Sequence, residues 1–123
     1  MRKLAALIVS LALILPASGC TNRIGDFTAV SSKNMDLTRG ADFKRGTSRV
    51  KADDTAAIIL GIPTGVPNMK NALDRAIEKT PGAVGLVDAV VSQKVFYLVL
   101  FGQTGYEVEG TPLIDPHLEK SLK

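Results

Sequence analysis

The chain has 123 residues, with 15 basic and 12 acidic side chains, one histidine, one cysteine and no tryptophan. A lone cysteine excludes an internal disulfide, and one cysteine with one histidine leaves no ligand set for a structural zinc, so no cofactor or metal is expected. Arg2 and Lys3 fall in an N-terminal targeting segment, leaving 13 basic against 12 acidic residues. That balance gives no electrostatic footprint for nucleic acid, and none is expected as a partner.

Arg2 and Lys3 open the chain, Leu4 to Leu15 is apolar except for Ser10, and Pro16-Ala17-Ser18-Gly19-Cys20 follows. A positive start, an apolar stretch and small residues are the three parts of a secretory signal. The stretch is shorter than the roughly 20 residues needed to span a bilayer. Small residues directly before a cysteine resemble the lipobox of bacterial lipoproteins, with Ala17 where Leu is usual. The resemblance implies cleavage between Gly19 and Cys20, lipidation of Cys20 and a firm membrane anchor. Thr21 is not the Asp linked with retention at the inner membrane, which implies the outer membrane, facing the periplasm, in a Gram-negative cell. The organisation expected is a signal peptide over 1–19, a lipidated tether over 20–25, one domain over 26–110 and a polar tail over 111–123. One small domain of this size can bury a core without staples.

Along the domain, Asp26 to Lys33 reads as a short strand and Asn34 to Gly40 as a turn. Ala41 to Lys51 is rich in charge. A second strand centres on Thr55 to Leu60. Gly61 to Pro67 carries two prolines and two glycines and fits neither a helix interior nor a central strand. Pro67 or Asn68 starts a helix lasting to Lys79, with Met69, Leu73, Ala76, Ile77 and Thr80 on one face. Pro81-Gly82 stops it. Ala83 to Val91 is a third strand around the single charge Asp88, Ser92-Gln93-Lys94 a turn, and Val95 to Phe101 a fourth strand. Gly102 to Gly105 bends the chain, and Tyr106 to Gly110 alternates as a last strand or a continuation.

This order, β-β-α-β-β(-β), predicts an α+β domain: a small antiparallel sheet with one amphipathic helix packed on one face. A sheet covered on one side should alternate apolar and polar residues. Val95, Tyr97, Val99 and Phe101 on one parity and Phe96, Leu98 and Leu100 on the other show no alternation. One short helix cannot cover both faces. The other face needs a second copy, an envelope protein partner, the tail or a folding-over of the sheet, and two readings are equally open: an interaction strand, and a strand enclosed within a curled sheet.

Catalytic patterns are sparse. Gly61-x-x-x-Gly65 before a helix has the glycines of a phosphate loop but lacks its Lys-Ser/Thr, and Pro67 removes a donor, so it reads as a strand-to-helix turn. Asp53, Asp54, Glu107 and Glu109 read as solvent-facing carboxylates at strand ends rather than an acid–base pair. His117 reads as a solvated tail residue. Lys44, Arg45, Arg49 and Lys51 suit anionic head groups, and suit equally a charged sheet edge that blocks aggregation.

The helix residues Asn71 to Ile77, the stretch Gly82 to Val90, the apolar strand and Tyr106-Glu107-Val108-Glu109-Gly110 resemble small bacterial lipoproteins of the tRNA-associated-locus (TRL-like) group. The resemblance spans Gly61 to Gly110 and rests on small-residue patterns. It implies a periplasmic, non-enzymatic lipoprotein and brings no catalytic residues. The expected function is therefore that of a lipid-anchored envelope protein acting by interaction or assembly. The alternative is a periplasmic sensor or carrier holding a small apolar or lipid ligand between helix and sheet.

Overall fold

A computed structural model describes residues 1, 3–4 and 18–121. Most of the expected signal segment, 5–17, lies outside the described residues. The fold is α+β and antiparallel. Its strands are β1 (Ser18–Val30), β2 (Lys44–Arg45), β3 (Val50–Ile59), β4 (Ile62–Pro63), β5 (Ala83–Leu98) and β6 (Phe101–Ile114). The fold also has helices α1 (Met69–Glu78) and α2 (Pro116–Ser121) and a 3-10 segment, Leu37–Asp42. The sheet order is β1-β5-β6-β3-β4, and β2 pairs with the far end of β6.

The helix forms where the 3.6-residue spacing places it. The Asn68 side chain caps its start by accepting from the Lys70 N–H at 2.8 Å. Ala72, Leu73, Ala76 and Ile77 are its buried face. They pack on Ala52, Leu86, Ala89, Val91 and Val108 to make the core. Met69, expected on that face, is exposed, because it sits at the first turn beyond the sheet contact. Asp54 joins helix to sheet. It accepts from the Asn68 N–H at 2.8 Å and pairs with Arg75 at 3.0 Å.

Several boundaries differ from the sequence reading. The expected tether over 20–25 is strand: β1 starts at Ser18, and Cys20 pairs with Val95. β1 ends at Val30, short of Lys33. The expected turn at Ser92-Gln93-Lys94 is the middle of β5, and the turn falls at Val99-Leu100, between the paired Leu98 and Phe101. The polar triplet is tolerated there because one face of the strand carries ion pairs, while the true turn holds no Gly or Pro to announce it. The expected bend at Gly102 to Gly105 is likewise inside β6. Asp88 sits at a bulge: it adopts φ +49, and two residues, Asp88 and Ala89, oppose Gly110.

The expected loose tail is also structured. Thr111 and Pro112 are buried in β6, and Asp115 is 2% exposed. Asp115 accepts from the His117 N–H at 2.9 Å and pairs with Arg39 at 3.3 Å. The Asp115 N–H donates to the Gly82 carbonyl. Gly82 adopts φ +76, and a Cβ there would lie 2.9 Å from the Glu119 backbone, so α2 seats directly on the stop of α1.

Leu60-Gly61 joins β3 to β4 with φ +52 and +81. This is the two-residue hairpin geometry that favours Asn-Gly. A leucine in the left-handed region costs about 1 kcal/mol of backbone strain.

Two changes rank the parts of the fold. Leu73→Ala opens the helix–sheet contact and should cost roughly 2–5 kcal/mol. Deleting residues 112–123 removes Leu113 and Ile114, which pair with Gly85 and Ala83, together with buried Asp115. That deletion should abolish the cooperative urea transition followed by circular dichroism, whereas Leu73→Ala should only shift its midpoint.

Candidate functional site

Cys20 lies exposed on β1 at one end of the sheet. Its strand register, Gly19 to Phe96 and Cys20 to Val95, brings it beside the stretch Val95–Phe101. A shallow hollow of about 150 Å³ adjoins it, lined by Gly19, Cys20, Thr21, Lys94, Phe96 and Gln103 among others. No described helix is long and apolar enough to cross a membrane.

The seven residues expected to form an interaction strand are divided by the turn. Val95, Phe96, Tyr97 and Leu98 end β5, Val99 and Leu100 make the turn, and Phe101 begins β6. The reading of a strand enclosed on both sides within a curled sheet is not met. Only Phe96 is half-buried, and Val99 and Leu100 are 84% and 64% exposed. Helix α1 lies over the opposite half of the sheet, on Ala52, Val91 and Val108, and does not reach this end.

A second apolar tip lies beside the first. Leu60 and Ile62 of the β3–β4 hairpin are 68% and 69% exposed, with Ile59 next to them. The Leu60 N–H donates to the Leu100 carbonyl at 2.8 Å, which ties the two hairpin turns together. Sequence reasoning missed Ile59, Leu60 and Ile62. The signal available was the pair of isoleucines flanking Leu60-Gly61, which reads as a hairpin once the helix start is fixed at Asn68.

The charged candidates occupy other ground. Strand alternation from Ala52, Val91 and Val108 places Lys51, Lys94, Glu107 and Glu109 on the face away from α1. The four carboxylates expected at strand ends lie inside strands, paired in register as Asp53 with Glu107 and Asp54 with Tyr106. Glu107 is nearly buried between Lys51, at 2.9 Å, and Lys94. Burial opposes its ionisation, yet hydrogen bonds from Lys94 and Lys51 hold it below its usual 4.5. Arg49 pairs with Glu109 at 2.7 Å, and Arg45 pairs with Asp88. Asp54, Glu107 and Glu109 therefore hold strands and helix together. The basic cluster Lys44, Arg45, Arg49 and Lys51 lies toward the end of the sheet remote from Val99, with three of its members in ion pairs. His117 is in α2 rather than a loose tail.

No protein-family model, curated protein or solved structure matches this chain.

Glu107 gives a pH signature. A carboxylate whose folded value lies below its unfolded one contributes stability above the unfolded value and loses it as the pH falls through the folded one. Thermal stability should therefore drop as the pH falls below 4.5, with Asp54 and Asp74, both held below their usual 3.8, adding to the loss. Glu107→Gln should lower the melting temperature at neutral pH and make the acid decline shallower. An unchanged slope would remove Glu107 from the account.

Proposed function

We propose that this chain is a lipid-anchored envelope protein, exported and held at the outer membrane through lipid on Cys20, and that it acts by contact rather than catalysis. The observation that carries the reading is the placement of Cys20. The cysteine that follows Ala17-Ser18-Gly19 lies exposed in β1, beside an end of the sheet whose apolar side chains are uncovered. The resemblance of Gly61 to Gly110 to TRL-like lipoproteins points the same way and transfers no activity.

For protein contact or self-assembly the molecule offers the outer edge of β1, the end strand of the sheet. A bulge between Arg23 and Gly25 and the Arg23–Asp26 pair at 2.6 Å interrupt that edge midway, a device that limits indiscriminate strand pairing. The carrier alternative has less support. Ala72, Ala76 and Ile77 are fully buried against the sheet, so side chains fill the space where a ligand would lie.

Metabolic labelling with an alkyne fatty acid tests the anchor. The wild-type chain should be labelled, migrate as a shortened form and sediment with outer membranes. Cys20→Ser should be unlabelled and accumulate as the longer precursor. A Cys20→Ser chain shortened and membrane-bound like the wild type would refute the assignment.

A further inference from the structure

We propose that the two hairpin turns, Ile59 to Ile62 and Leu98 to Phe101, insert into the headgroup–acyl boundary of the bilayer that holds the Cys20 lipids. The inference rests on Cys20 being the anchored residue and adds what the free apolar end touches.

Four observations converge on lipid as the occupant. The first is the missing tether. Cys20 is itself a strand residue paired with Val95, four positions before Val99. At about 3.3 Å per strand residue, the turn lies only some 13 Å beyond the anchor point. A domain held with no slack at Cys20 brings this end of the sheet against the membrane surface.

The second is charge. Residues 20–22, 55–69 and 95–106, which supply the strands and turns at this end of the processed chain, contain no Asp, Glu, Lys or Arg. The charged residues begin with Arg23, Asp54, Lys94 and Glu107, so they fall behind one level across β1, β3, β5 and β6. Lys44, Arg45 and Arg49 lie farther still from the turns. A protein-binding surface carries a polar rim around its apolar centre. An uncharged cap with a charge boundary across the four long strands instead matches the polarity change between acyl chains and water.

The third is shape. The apolar groups project on two turns joined by the Leu60 N–H to Leu100 bond. They form a protrusion, which a fluid bilayer accommodates without a complementary pocket. Tyr97, half exposed behind the tip, supplies the amphipathic ring favoured at the interface. Open strand edges do not enter the hydrocarbon centre, so the depth is interfacial.

The fourth is Leu60. Its left-handed φ of +52 belongs to the position that Asn fills most easily. The chain keeps an exposed leucine there against its backbone preference, which is the pattern expected where an apolar side chain has a use outside the fold.

The chain has no tryptophan, so one introduced residue is a unique reporter. The test uses processed, lipidated protein in phosphatidylethanolamine–phosphatidylglycerol vesicles with and without brominated acyl chains. Val99→Trp reports the tip, and Ser48→Trp reports an exposed loop at the charged end. Expected are blue-shifted emission and several-fold stronger bromolipid quenching for Val99→Trp, with Ser48→Trp quenched by acrylamide. Adding Leu60→Asn should raise the denaturation midpoint and weaken the bromolipid quenching. If the protein floats with the vesicles while Val99→Trp remains open to acrylamide, the insertion is wrong and the anchor stands. Blue-shifted emission without bromolipid quenching means that a second copy or another protein covers the tip, and also overturns the proposal. Failure to float removes the anchor and the insertion together.

Discussion

A helix of 10 residues reaches about 15 Å, whereas β5, with 16 residues, reaches about 50 Å. The remaining organisation follows from that mismatch. α1 seals the part of the sheet that holds Leu86, Ala89, Val91 and Val108, and there the core is closed to solvent. Beyond its first turn the β5–β6 hairpin continues with no second layer among the described residues. The chain therefore has one half stabilised by burial and another held by strand pairing, the Leu60 to Leu100 backbone bond and a Gln103–Thr55 side-chain bond at 2.8 Å, with its apolar side chains turned outward.

Charge reinforces the division. On the face away from α1 the sheet is held by Lys51, Glu107 and Lys94 and by Arg49 with Glu109. The helix reaches over the edge of β3 as well: Arg75 donates to the Asp53 carbonyl at 2.9 Å and Lys79 to that of Lys51. These contacts occupy acceptors that would otherwise invite another strand. Most of the surface ion pairs are exposed and individually weak. Their shared effect is to keep one part of the sheet soluble and shielded while the other carries no charge.

The helix was legible because its capping residue, spacing and Pro-Gly stop agree with one another. The α+β class followed from the order of segments. Strand limits were less legible for identifiable reasons. Ser92-Gln93-Lys94 has turn composition, but an open face tolerates polar residues in mid-strand. Val99-Leu100 makes a turn with strand composition, because the side chains there face outward. Thr111 to Asp115 looked like tail, since the partners that bury it, Gly82, Arg39 and Gly46, are distant in sequence. The apolar Val95–Phe101 segment stood out in the sequence. That it doubles back beside a second apolar turn depends on register, which local composition does not encode.

Amide hydrogen exchange on the lipidated protein in vesicles tests the division most directly. The turns at 59–62 and 98–101 and the loop at 47–49 are all surface segments, separated by the length of the sheet. The account predicts slow exchange at both turns and fast exchange at 47–49, with the slow exchange at the turns lost when the vesicles are omitted in favour of the unlipidated Cys20→Ser chain in buffer. Equal exchange at the turns and at 47–49 on vesicles, or protection appearing at 47–49 instead, would contradict it.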